Sequence, residues 1–250
     1  MQWRERDDIR WLEAELGDAR AAFTTRLGGA STGPFASLNL GLLTGDDPRA
    51  VRTNRHRVAG ALGLEPDRFL IGRQVHGAEI QARAEPPQPN GFAEPGSVEP
   101  AEVDGQATAT AGLVPLVFVA DCLPVALSGP DGVAMIHCGW RGLAGGIVAR
   151  GAEAVGATKA AIGPGIGRCC YEVGDEVLNA FAPLGEGIAD GRMLGLTEVA
   201  RRLLARAGVD EIEAAELCTS CEPELFFSHR RDDGRTGRQA GVVWKRAGDG

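Results

Sequence analysis

The chain has 250 residues, with 44% hydrophobic and 24% charged residues and a formal net charge of −8. That length and composition fit a globular domain with a sizeable core, and one domain is expected over 1–250. The acidic balance, with no basic stripe, argues against nucleic acid as a partner. No run approaches the ~20 apolar residues of a membrane span.

The N-terminal MQWRERDDIRWLEAEL is charged throughout and has no signal-peptide core. Six cysteines in this length are too few for a disulfide scaffold. A reducing, cytoplasmic setting is therefore expected. Residues 20–45 read as a strand, a glycine turn and irregular backbone. Residues 48–62 read as a helix: Pro48 suits the first turn, Val51, Val58, Ala59 and Leu62 share one face, and Gly63 stops it. Two short strands around Gly77 are expected within 68–82, followed by an irregular surface loop over 85–101 that holds five prolines. Apolar strands follow at 113–122, 125–129 and 132–138, then a helix at 142–156 and a strand at 159–167 running into a glycine turn. Helices at 174–182 and 195–207 and a strand at 211–218 complete the reading. Strands alternating with helices give an α/β class.

Only four histidines occur. His76 and His137 are read at the ends of apolar strands followed by glycine, and Cys122 at the end of a third. Strand ends are where sites collect in α/β sheets. Two imidazoles and a thiolate form a zinc-binding set that leaves a fourth position open. The same residues support a metal-free reading, with Cys122 as nucleophile, His137 as base and Asp121 as orienting group. Adjacency of Asp121 and Cys122 weakens that triad, because neighbours on a strand point to opposite faces. Arg26, in TTRLGGAS, and Arg141, ahead of a helix start, are candidates for gripping phosphate. Cys218 and Cys221 form a C-x-x-C pair, while adjacent Cys169 and Cys170 suit a matching zinc pair poorly; two reduced structural cysteines are expected at Cys218 and Cys221. His56 and His229 sit among arginines and are read as peripheral.

Six ordered stretches then fit one known pattern: QVHGAEI (74–80), VDGQATAT (103–110), ADCLPVAL (120–127), IHCGWRGLAGGIV (136–148), IGPGIGRCCYEVGDEV (162–177) and CTSCEPELFFSHRRDDGRTGRQAG (218–241). With TTRLGGAS and SLNLGL they resemble the YfiH-like family, also called the laccase-domain, polyphenol-oxidase or peptidoglycan-editing-factor family. The resemblance runs from about Phe23 to Trp244. It departs near Ile166, where the family often has Cys, and at His229, where it often has an aromatic residue. It implies a single layered α/β domain with mixed sheets flanked by helices, its core spanning about 20–245, related to cysteine-hydrolase-like toxins, and metal ligation by His76, Cys122 and His137. The implied activity is phosphorolysis of adenosine, inosine, guanosine and methylthioadenosine, with adenosine deamination alongside. Zinc is the expected cofactor, with copper as an adventitious or alternative metal. Nucleoside and phosphate are the expected partners; oligomeric state is not legible. Asp104 and Asp121 are candidates for protonating the leaving purine, and Glu172 for assisting a deamination.

The rival readings are a cysteine hydrolase acting on peptidoglycan precursors, a single-copper phenol oxidase, and a non-catalytic interaction protein. A true laccase needs on the order of ten histidines for its copper centres, which four cannot supply.

Overall fold

The computed structural model describes residues 1–246. The charged N-terminus, given no element above, pairs as a hairpin of β1 (Gln2–Arg6) and β2 (Ile9–Leu16). β1 is exposed along its whole length, whereas β2 is almost wholly buried. Charges interleaved with Ile9, Trp11, Leu12 and Leu16 hide that contrast from a reading by hydrophobicity. β3 (Ala19–Thr24) continues the sheet, and the backbone beyond it is irregular as expected.

α1 (Pro48–Leu62) has the predicted limits. Asp47 caps it, its carboxylate accepting the Arg49 backbone N–H at 2.9 Å. Gly63 ends it at φ +70°, a conformation that glycine reaches at little cost. Its buried face holds Val51, Val58 and Ala59, together with two polar residues, Asn54 and Arg55.

β4 (Phe69–Leu70) and β5 (Ile80–Ala82) are the two strands expected around Gly77, but shorter. His76 therefore lies in the connection between them and not at a strand end. The irregular stretch 85–101 is present, and it is pinned by Phe92, which is buried and stacked on Phe69 at 4.1 Å between ring centroids. β6 (Gly105–Thr108), β7 (Val114–Val119), β8 (Leu123–Gly129) and β9 (Gly132–Cys138) follow. The single helix expected over 142–156 is two: α2 (Trp140–Ala144) and α3 (Ile147–Val155), broken where Gly146 turns at φ +87°. β10 (Lys159–Ile162), α4 (Asp175–Phe181), a small ribbon of β11 (Ala189–Asp190) and β12 (Met193–Leu194), α5 (Leu196–Arg206), β13 (Glu211–Ala214) and β14 (Gln239–Lys245) complete the chain.

Two six-stranded sheets result, ordered β1-β2-β3-β14-β7-β4 and β13-β10-β8-β9-β6-β5. Both mix parallel and antiparallel pairs. Alternation along the strands assigns each face. In β7, Val114 and Leu116 pack with Val58 and Ala59 of α1, while Val117 and Val119 meet Met135 and Ala161 of the other sheet. In β8 and β9, Leu123, Val125, Leu127, Ala134 and Ile136 turn outward onto Leu143, Ile147, Val199 and Leu204 of the helices. The order of layers is thus helix, sheet, sheet, helices, in agreement with the mixed α/β class.

Candidate active site

Strand register brings the site together. β8 and β9 pair antiparallel with Leu123 opposite Cys138 and Pro124 opposite His137, so Cys122 falls beside the end of β9. β6 pairs β9 with Gly105 opposite Ile136, which sets Asp104 against His137 from the other flank. The third group arrives on the β4–β5 connection. Ligand atoms of His76, Cys122 and His137 lie within 4.8 Å of one another, and the two imidazole rings meet edge-on at 4.9 Å between centroids.

Asp104 organises this group. It is 1% exposed, and its carboxylate accepts the backbone N–H groups of Val75 (3.0 Å), His76 (3.0 Å) and Gly77 (2.7 Å). Its Oδ1 also lies 2.8 Å from His137 Nδ1. Three donated N–H groups hold His76 at φ +61°, a left-handed backbone that a β-carbon disfavours. The fourth contact leaves His137 Nε2 free to face the cluster when Nδ1 carries the proton. Burial by itself would raise the Asp104 carboxyl. Hydrogen bonds from His137, Gly77 and Val75 outweigh it and hold the group below the ordinary carboxylate value. A carboxylate so held is a poor proton donor, which corrects the expectation that Asp104 protonates the leaving base.

Burial also opposes ionisation of Cys122, yet the charge of His137 and hydrogen bonds from His137 and His76 bring the thiol down to about 6. Burial would likewise lower His137, but the Cys122 thiolate and Asp104 raise it to about 9. Without a metal the cluster thus holds a thiolate facing an imidazolium, and a bound cation would take the place of the Nε2 proton beside a thiolate already formed. Its space is kept by Gly139: a Cβ there would stand 3.0 Å from Cys122 Sγ and 3.1 Å from His76 Cδ2. Two imidazoles, one of them oriented by Asp104, and one thiolate, all within 4.8 Å of one another, fit a bound metal ion.

The three residues border a cavity of about 820 Å³, within the range of small-molecule sites. Leu43, Val98, Phe118 and Ile166 give it apolar walls. Cations border it as well. Arg55 is 2% exposed, donates Nε to Leu40 O (2.9 Å) and Nη1 to Gly91 O (2.8 Å), and has no carboxylate within ion-pair distance among the described residues. Its guanidinium lies over the Phe118 and Phe92 rings, and burial lowers its pKa to about 9, leaving it cationic at neutral pH. Arg141, Arg230 and Arg238 line the same cavity.

Other expected site residues are placed differently. Arg26 does not border the cavity: Nε donates to Ala36 O (2.7 Å), Nη1 to Pro223 O (3.0 Å), and the group stacks on Phe227. Arg141 does border it, packed on Trp140 at 4.5 Å, but α2 is a five-residue turn and offers no developed helix terminus for an anion. Asp121 borders the cavity but does not orient His137, and each of its oxygens already accepts a hydrogen bond. It accepts Thr219 Oγ1 at 2.7 Å and the Arg230 N–H at 2.6 Å. Glu172 is exposed and absent from the cavity wall, whereas His229 lines it. The sequence reading missed Arg55, Tyr171, Arg230 and Arg238. Arg55 alone had a signal: it falls four residues after Val51 and four before Ala59, on the apolar face of α1.

Residues 20–246 match the family model described as multi-copper polyphenol oxidoreductase laccase. The chain is 41% identical to "Purine nucleoside phosphorylase YlmD" of Geobacillus stearothermophilus, over 94% of each chain. It is 35% identical to "Purine nucleoside phosphorylase YfiH" of Escherichia coli, over 90% of this chain and 93% of that one. The crystal structure of YlmD from Geobacillus stearothermophilus superposes with a TM-score of 0.87 at 38% identity, covering 98% of this chain and 99% of that one. No helix among the described residues is long and apolar enough to cross a membrane. With the motif order, the two-sheet architecture and these relatives in agreement, the chain belongs to the YfiH/YlmD-type laccase-domain family.

Proposed function

We propose that this protein is a metal-dependent purine nucleoside phosphorylase, working on nucleosides such as inosine and adenosine with phosphate as the acceptor. The observation that carries the reading is a histidine–cysteine–histidine group, fixed by Asp104, at the wall of a cavity that also exposes arginines and apolar surface. The names of the relatives give the reaction class. Phosphorolysis breaks the C1′–N9 bond, forms a C1′–O bond to phosphate, and sends the electron pair to the purine, which takes up a proton.

The chain's own groups divide that work. Arg55 is a desolvated cation without an acidic partner, a setting that favours a phosphate oxygen; Arg238 and Arg230 add charge along the same wall. Leu43, Val98 and Phe118 receive the flat base. Tyr171, also on the wall, is pushed up to about 12, first by burial and then by the Cys122 charge. Its phenol stays protonated at neutral pH and donates from Oη toward the purine. His76, Cys122 and His137 would hold zinc, which when bound supplies Lewis acidity toward phosphate or the leaving base. Zinc suits this chemistry better than copper because no step changes oxidation state. Deamination of adenosine lacks its expected helper, since Glu172 stands outside the cavity.

Phosphate-dependent release of hypoxanthine from inosine tests the reading. Tyr171→Phe is expected to lower kcat by about 10²-fold with metal content unchanged. Arg55→Lys is expected to raise the KM for phosphate far more than that for inosine.

One observation favours a second reading: Cys122, His137 and Asp104 align as nucleophile, base and orienting acid. A hydrolase built on them would need the thiol free. Alkylation of Cys122 in the protein as isolated, without chelator, would favour the hydrolase, and protection relieved by chelation would favour the metal site.

A further inference from the structure

Away from the cavity triad, the four remaining non-core cysteines converge. Metal-binding atoms of Cys169, Cys170, Cys218 and Cys221 all lie within 4.8 Å of one another, with Cys221 Sγ at 3.5 Å from Cys169 Sγ and 3.4 Å from Cys170 Sγ. All are free thiols. A tetrahedral zinc with Zn–S near 2.3 Å separates its sulfurs by about 3.8 Å, whereas a disulfide brings two to about 2.0 Å. The spacing suits a shared ion and not a crosslinked pair.

The backbone is arranged for the same purpose. The adjacent Cys169 and Cys170 lie in a turn, closed by the Cys170 N–H donating to Gly167 O (3.0 Å), so their side chains need not diverge as they would on a strand. Cys218 and Cys221 sit on a second turn, where the N–H groups of Cys221 and Glu222 both donate to Cys218 O at 3.1 Å. The two turns are joined by the bridge between Gly165 and Cys218 and by the Thr219 N–H to Gly165 O (2.9 Å). The Gly167 N–H donates to Cys218 Sγ at 3.2 Å, as donors to ligating thiolates do. A Cβ on Gly167 would come within 3.0 Å of Cys218 Cβ and 3.1 Å of Cys169 Sγ, so glycine keeps the centre open.

We propose that Cys169, Cys170, Cys218 and Cys221 form a second metal site, a tetrathiolate centre for zinc with a structural role. Its position gives that role content. The first turn leads to Tyr171 and the second to Thr219, which holds Asp121 beside Cys122, and to His229 and Arg230 on the cavity wall. An ion here clips together two segments about 50 residues apart that wall the cavity. The site stands independently of the phosphorylase reading. It also replaces the expectation of two merely reduced cysteines at 218 and 221: the adjacency of Cys169 and Cys170, which counted against a matching pair, is accommodated by the turn.

The test is metal content of the full-length protein purified under reducing conditions, for the wild type, His76→Ala and Cys221→Ser. About two zinc ions per chain are expected in the wild type, with each variant losing a different one. His76→Ala keeps an ion that a thiol-specific mercurial releases, and Cys221→Ser keeps the other. Wild type and Cys221→Ser with equal metal would overturn the proposal, as would disulfides among the four cysteines in the reduced preparation. Should Cys221→Ser fail to fold, cobalt substitution of the wild type decides. A sulfur-only cobalt spectrum in addition to the mixed nitrogen–sulfur one supports the second site, and the mixed spectrum alone refutes it.

Discussion

Asp104 shows how much one carboxylate can fix. Four hydrogen-bond contacts end on it, three from the strained turn that carries His76 and one from His137. Asp104→Asn keeps the shape but loses the charge and forces an amide N–H against a donor. Metal affinity is expected to fall about 10- to 100-fold, measured by competition with a chromophoric chelator. At the same scale the sequence disclosed the donors but not their supports. His76, Cys122 and His137 could be named because their residue types are rare and chemically distinctive. Asp104 was read only as a candidate acid for the leaving purine, and its role as a support came from a register that only pairing reveals. The arginines divided for a similar reason: both bond two backbone carbonyls, but Arg26, with the motif around it, lies off the cavity, while Arg55, with no motif, lines it.

Among the elements, α1 was the most legible, because Pro48, apolar periodicity and the terminal glycine all pointed to the same limits. Asp47→Ala removes the cap and is expected to cost about 1 kcal/mol, seen as a fall in Tm of roughly 2–4 °C with the cavity intact. The N-terminal hairpin was illegible for the opposite reason. β1 is an exposed edge strand, with Arg10 stacked on its Trp3, and its sequence lacks the alternation that marks a half-buried strand. The stretch 85–101 was correctly read as irregular, but nothing local announced that Phe92 would anchor it. Phe92→Ala is expected to cost about 3–5 kcal/mol, lowering Tm by roughly 10 °C. It should also raise substrate KM, because Gly91, Val98 and Pro100 of the same stretch border the cavity.

For the whole molecule, the two sheets stack so closely that small residues are required between them. A Cβ on Gly241 would stand 2.5 Å from Pro124 Cβ and 3.1 Å from Met135 Sδ. Pro124 and Met135 belong to β8 and β9, the strands that align Cys122 with His137. Sheet packing and site geometry are thus one construction, and its class could be read from alternating strands and helices while its strand order could not. The measurement closest to the central claim is phosphate-dependent cleavage of inosine by the metal-bearing wild type and by His76→Ala, with metal counted in both. Hypoxanthine and ribose-1-phosphate should appear in equal amounts only when phosphate is present. Both should vanish in His76→Ala together with one metal ion. Cleavage that proceeds equally without phosphate, or that survives intact in metal-depleted His76→Ala, would contradict the account.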